Sequence, residues 1–522
     1  MTEQTLRILA ESETSVLPPE EPTAREIRAV FIGLMIVLGL GAVDQSVVAT
    51  ALPRIVGDLG GIYQLSWVVT AYLLASTTAM PLYGRLSDQY GRKPLIYGAI
   101  TIFLLGSALS GTAQSLTQLI IFRAIQGLGA GGFLPLSQII IGDLVPPAKR
   151  GSRQGAIVAV FAVCSVLGPV IGGVITDWLS WHWIFYVNLP TGALAFVVIG
   201  RSLRRPNPTL VRPNDYLGVA LLTCCTILFL LILTLGGSEW PWFSPQIGGL
   251  SAAAVFGTAL FVLHLRRVPE PVLPLDLFDN RLFVVANIVM TLTFMGMLGG
   301  SLLLPLFFQI VMGISASDSG LLTGLQMIGV VVSSVVNGRV LLRWGRYKPA
   351  QTAGLAVASV TLAVLAWEVG TEQRIATIGS SLFVLGLGFG LVMPNMSVAV
   401  QNALPVIHRG VGTATLAFFR SLGGVVGVAS AGAILAQHLN ASNGTSVGVD
   451  AASGSNTEGL SLVLSQSPES HAALISICRH AIATTLCVSA CIVVVAFVAV
   501  LFLPELPLRA HGGTANRPPD AR

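Results

Sequence analysis

The stretch Gly84-Arg85-Leu86-Ser87-Asp88-Gln89-Tyr90-Gly91-Arg92-Lys93 lies between two long apolar runs. It places four charged residues in ten positions, in a chain where only 10% of residues are charged. Two glycines bracket it, so the backbone can turn tightly from one helix into the next. Taken alone it is a basic connector on one side of a membrane. Whether the chain repeats it decides between a bland loop and part of a larger design.

Composition supports the membrane reading. The 522 residues are 53% hydrophobic, with a mean hydropathy of +0.78. Soluble chains carry about 25% charged residues. Fourteen apolar runs are each long enough to cross a bilayer as a helix. All but five of the 29 basic residues fall on one side of these runs. Arg54, Arg374 and Arg479 fall on the other side, and Arg123 and Arg420 inside spans. Positive charge marks the cytoplasmic side, so both termini are expected there, and the net charge of +5 sets orientation rather than marking nucleic acid. Residues 1–28, acidic and proline-bearing, read as a disordered cytoplasmic tail with no cleavable signal peptide, and 504–522 as a second tail. The six cysteines lie mostly in apolar runs without metal-ligand spacing, so no metal and no cofactor are expected.

The loop does recur. Gly84, Gly91 and Arg92 return 254 residues later as Gly338, Gly345 and Arg346. Gly127, Gly129, Gly131 and Pro135 return 259 residues later as Gly386, Gly388, Gly390 and Pro394. The chain therefore reads as two copies of a six-helix bundle, residues 29–203 and 283–503. A linker with an inserted two-helix hairpin, 204–282, joins them. A long outer loop, 437–475, carries glycosylation acceptor patterns at Asn440 and Asn443. Parallel repeats of this kind place a binding site between the halves, and rocking gives alternating access. The expected fold is an all-α polytopic membrane protein.

The residues also resemble a known family. Gly84-x-Leu86-x-Asp88-x-x-Gly91-Arg92-Lys93 is similar to the loop signature of the major facilitator superfamily. Ala42-Val43-Asp44-x-Ser46-Val47-Val48-x-x-Ala51-Leu52-Pro53 resembles the first-helix pattern of its drug:proton antiporters. Arg123-Ala124-Ile125-Gln126-Gly127 resembles the basic motif of helix 4. Gly168-Pro169-x-x-Gly172-Gly173 resembles the helix 5 motif of exporters, and Trp183 to Pro190 the lead into helix 6 of the 14-helix branch. The second loop copy departs with Leu342 where the first has Asp88. Cys164 replaces the usual first glycine of the helix 5 motif, and His182 an arginine between tryptophans. The resemblance implies a proton-coupled exporter of lipophilic, neutral or cationic small molecules. It also implies a cytoplasmic gate of Gly84, Asp88, Gly91, Arg92 and Asp143. In that gate Arg92 pairs with Asp143, and Asp88 faces the helix start near Gly410.

By this span assignment Asp44 is the one acid well inside the membrane, where a carboxylate costs about 2.5–3.5 kcal/mol on insertion scales. Rise per residue puts Asp44 and Arg123 at similar depth, so they are the expected proton-coupling pair. Helix packing is the competing role for Asp44. Gly168, Pro169, Gly172 and Gly173 form a hinge or an ordinary packing kink. Trp67, Tyr72, Gln126, Asn287, Gln309, Asn395 and Arg420 are candidate cavity residues, each equally readable as packing or an interfacial anchor. Expected partners are a small-molecule substrate, protons and the lipid bilayer, with no nucleic acid, and the chain is expected to act as a monomer. A specific native metabolite, lipid or siderophore is the alternative cargo. A non-transporting sensor or scaffold has less support, and an ATP-driven pump or an enzyme has none, because no phosphate-binding loop or acid–histidine cluster is present.

Overall fold

A computed structural model describes residues 23–59, 65–145, 147–203, 215–236, 240–269, 271–314, 316–344, 346–371, 374–405, 408–441 and 468–505. Asn443, most of the loop 437–475, and residues 1–22 and 506–522 of the tails lie outside these. A long helix occupies each of the fourteen expected positions. The first six are α1 (Ala24–Leu59), α2 (Leu65–Tyr90), α3 (Arg92–Ser110), α4 (Leu116–Ala130, resuming as Phe133–Leu144), α5 (Pro147–Trp178) and α6 (Asn188–Ser202). The hairpin is α7 (Tyr216–Leu235) and α8 (Pro245–Leu265). The last six are α9 (Arg281–Leu302), α10 (Ala316–Trp344), α11 (Lys348–Gly370), α12 (Ile375–Ala403), α13 (Arg409–Ala441) and α14 (Pro468–Leu501). Twelve helices among the described residues are long and apolar enough to cross a membrane. The two further expected spans are α2 and α5, of 26 and 32 residues.

Local chemistry sets the boundaries. Gly91 has φ 89°, the left-handed conformation that lets α2 turn into α3. Ser115 caps α4 by accepting the Gln118 N–H, and Asn280 caps α9 through the N–H groups of Leu282 and Phe283. Ser244 caps α8, with Pro245 in the first turn. Large apolar side chains such as Leu105, Val163, Phe256 and Val360 point outward, while Ser, Thr, Asn and Gln are buried within the bundle. That inversion suits hydrocarbon outside and polar contacts inside.

The duplication is visible in the packing. In the first six helices α1 packs on α5 and α6, and α4 on α2 and α3. In the last six α9 packs on α13 and α14, and α12 on α10 and α11. Each half has its own apolar core. The halves meet along two seams, α2 on α13 and α5 on α10. The hairpin lies outside this plan, with α7 touching both α2 and α13.

Asp215 fastens the hairpin at its base. It caps α7 by accepting the Gly218 N–H at 2.8 Å, and it meets His264 Nε2 at 2.6 Å and the Val272 N–H at 3.2 Å. Burial pushes its carboxyl up, but the hydrogen bonds from His264, Gly218 and Val272 outweigh this and hold it below the usual value. An unfolded aspartate titrates near 3.9, so Asp215 adds its full stabilisation above roughly pH 4 and loses it as pH falls through the lowered folded value. Thermal unfolding in detergent should therefore show an acid-side loss below about pH 4. Asp215→Asn should melt lower at neutral pH and lack that step.

Candidate functional site

The polar centre of the first half is built around Asp44. Arg123 and Gln126, three apart on α4, present one face. Arg123 Nη1 donates to Asp44 Oδ2 at 2.7 Å. Gln126 Nε2 and Asn188 Nδ2 donate to Asp44 Oδ1 at 2.7 and 2.8 Å. Arg123 also donates to Gln126 Oε1 at 2.8 Å, and its guanidinium lies 4.1 Å from the centre of the Tyr72 ring. Asn188 continues to Ser107 Oγ at 3.0 Å, and Ser107 donates to the Phe185 carbonyl. All these polar residues are buried, Asp44 and Arg123 at 1% exposure. A buried ion pair persists only when geometry is good and the remaining polar atoms are bonded. Here three donors converge on one carboxylate.

Close helix approach makes this cluster. A side chain at Gly106 on α3 would overlap the backbone of Gln126, and one at Gly127 would overlap Tyr72. Sequence reasoning placed Asp44 near Arg123 and named Tyr72 and Gln126, but missed Asn188 and Ser107. An amide at the start of an apolar helix was the available signal. Its partner is 144 residues away, so no local spacing could reveal it.

The loop at 84–93 forms the second constellation. Asp88 accepts from Arg92 Nη1 at 2.6 Å, and from the backbone N–H groups of Gly410 and Val411 at 3.1 and 2.8 Å. It thus meets the start of α13, where the helix dipole favours an anion. Arg92 Nε donates to Asp143 at 2.9 Å. Burial raises the Asp88 carboxyl, against the pull of Arg92 and the Val411 N–H. Gly84 lies against the Gly410 carbonyl and Ala414, with no room for a side chain. Thr77 meets Ser421 at 2.8 Å, and Gln401 donates to the Gln138 carbonyl at 3.0 Å. The halves are therefore closed at the basic end. In the second copy Arg346 pairs with Glu505 after α14 instead.

The other candidates are dispersed. Trp67 is half-buried and Gln309 exposed. Asn287 is buried, bonded to the Phe283 carbonyl through Nδ2, and its Oδ1 has no partner among the described residues. Asn395 donates to Asn337 Oδ1. Gly168 is pressed against Ser46 of α1, whereas Gly173 faces open space. Pro169 is in the same helix, and the Gly172 carbonyl accepts from Thr176. Arg420 stands over the Phe294 ring at 5.0 Å. Glu368, two residues from the end of α11, is buried and accepts from Ser381 at 3.1 Å, so Asp44 is not alone as an acid inside the helical region. A recess of about 670 Å³ lined by Arg346, Lys348 and Glu505 contains none of the candidates. No group of residues suited to hold a metal occurs among the described residues.

Residues 34–428 match the family described as Major Facilitator Superfamily. The chain is 38% identical over 403 residues to the multidrug transporter protein MdtP of Bacillus subtilis, covering 77% of this chain and 74% of that protein. It is 37% identical over 423 residues to multidrug resistance protein 3 of the same organism, covering 79% and 80%. Among solved structures, the proton:xylose symporter XylE aligns with a TM-score of 0.63 over 93% of this chain and 98% of that one, at 14% identity.

Breaking a buried ion pair from one side leaves an uncompensated charge and costs about 3–5 kcal/mol. Arg123→Gln alone should therefore strongly lower thermal stability in detergent. Asp44→Asn with Arg123→Gln should recover most of the loss, and the two single changes should be non-additive in a double-mutant cycle.

Proposed function

The chain belongs to the major facilitator superfamily, and from this we propose that it exports lipophilic small molecules in exchange for protons. It is an integral membrane transporter, and its relatives include proteins named multidrug transporters. The observation that carries proton coupling is the Asp44 carboxylate, buried and held by Arg123, Gln126 and Asn188. Protonation of Asp44 removes the charge that draws these three donors together. Arg123 then loses its counterion and keeps Gln126, the Val68 carbonyl and the Tyr72 and Phe185 rings as neighbours among the described residues. A change in protonation at one carboxylate thereby alters the packing of α1, α4 and α6 at once.

In the orientation proposed from the basic residues, the end closed by Asp88 faces the cytoplasm. The closed latch then belongs to a form sealed toward the cytoplasm, and the driving proton would enter from the opposite side. Release of the proton inward and of substrate outward would alternate as the seams α2–α13 and α5–α10 open and close. Export of one native metabolite, lipid or siderophore uses the same machinery. The family resemblance of the helix 5 motif to exporters supports the outward direction.

Purified protein in liposomes with an imposed inward pH gradient tests this. Wild type should move a lipophilic probe uphill while acidifying the compartment that receives protons. Asp44→Asn should reduce both fluxes by at least about tenfold, as loss of an obligatory protonation site predicts, while remaining monodisperse. Undiminished uphill transport by that variant would refute proton carriage at Asp44.

A further inference from the structure

Arg420 is a second cation in the interior, and the Asp44 cluster does not use it. It lies eleven residues into α13, roughly 16 Å from the helix start at 1.5 Å per residue. Among the described residues no carboxylate lies within ion-pairing distance of it and no hydrogen-bond partner meets it; its neighbour is the Phe294 ring at 5.0 Å.

The faces of the two helices show where this pair points. On α9, Gly296 and Gly300 pack against Val493 and Ser489 of α14. Thr291 and Met295 pack against Gly423 and Gly427 of α13. At about 100° per residue, Phe294 lies roughly 140° from the face that meets α14. It therefore turns away from the outer helix and toward the interior of the molecule. On α13, Arg420 falls between the Gly423–Gly427 face against α9 and Ala417, which is buried in the core of the first half. Ser421, its neighbour, reaches across to Thr77 of α2. The guanidinium thus sits at the inner edge of the seam between the halves. Asn287, two turns below Phe294 on the same face of α9, keeps a buried Oδ1 without a partner among the described residues.

The interior charges are not paired locally. Asp44 and Arg123 neutralise each other, whereas Glu368, two residues from the end of α11, accepts from Ser381 of α12 and not from Arg420. Among the described residues Arg420 is left without an ion-pair partner, beside an aromatic ring. The geometry points to Arg420 and Phe294 as a substrate subsite for aromatic lipophilic molecules bearing an anionic or strongly accepting oxygen, such as a carboxylate, phenolate or enolised dicarbonyl. The guanidinium offers a planar fork of donors to that oxygen, and the Phe294 ring takes the apolar body. Permanent cations, which the sequence alone left open, are disfavoured by the same charge. This inference rests on the exporter reading for its physiological meaning, but not for its test.

The test uses three probes on one scaffold: naphthoate, its methyl ester and naphthyltrimethylammonium. Equilibrium dialysis against protein in neutral-lipid vesicles should show naphthoate binding at least tenfold more tightly than the quaternary cation. Arg420→Gln should erase that preference, Arg420→Lys should restore part of it, and Phe294→Leu should weaken naphthoate binding severalfold. Equal binding of acid and cation by wild type, or a preference unchanged in Arg420→Gln, would overturn the subsite. If Arg420→Gln does not fold, the wild-type ranking and Phe294→Leu decide. Vesicles containing phosphatidylglycerol form a second arm; displacement of naphthoate by that lipid would assign Arg420 to a headgroup and also overturn the subsite. Flux of the same probes under a pH gradient is read separately. Binding preference without flux would leave the subsite standing and count against the exporter reading.

Discussion

A carboxylate inside a bilayer needs partners, and the first half of this protein is arranged to supply them to Asp44. Arg123 neutralises it, while Gln126 and Asn188 occupy its other oxygen. These donors come from α4 and from the start of α6, so satisfying one carboxylate ties three helices together. The small residues Gly106 and Gly127 follow from the same constraint, because α4 must approach α3 and α2 closely for its side chains to reach inward. In low dielectric a half-satisfied network is worse than none. Removing any one donor would therefore leave the rest of the cluster underpaired.

The latch obeys related physics at the membrane edge. Asp88 is held by an arginine four residues on and by two backbone donors from the other half. Only the last of these depends on how the halves sit, so the contact can be made and broken without disturbing the turn at Gly91. The second copy keeps the arginine but spends it on Glu505 near the chain's end. Duplication thus preserved the helical scaffold, while the charged groups diverged: the Asp44–Arg123 pair and Asp88 lie in the first half, and Arg420, without an ion-pair partner among the described residues, in the second.

How much was readable before the structure depended on the range of each interaction. The fourteen helices were legible because bilayer thickness sets a length that composition must fill. The duplication was legible because glycines at helix contacts recur at fixed offsets. The Asp44–Arg123 pairing followed from depth, since rise per residue is constant. Asn188 and Ser107 were not legible, because their roles exist only where distant helices converge. The burial of Glu368 was not legible either, because it lies two residues from the end of α11, where hydropathy does not separate membrane interior from edge. The polar candidates Trp67, Gln309 and Asn395 have different environments that hydropathy does not distinguish.

The chain's own order of residues determined that it crosses a membrane, that it is built twice over, and which charged residues must find partners. Tertiary structure alone decided who those partners are. It gave Asp44 three donors and, among the described residues, left Arg420 beside an aromatic ring alone. It also laid the inserted hairpin across the seam of α2 and α13, which neither its length nor its hydropathy could specify. The physical reason is that hydrophobic span and helical rise are properties of a single segment. Charge compensation in a low-dielectric interior is a property of several segments at once, and it is set by which faces they turn to one another.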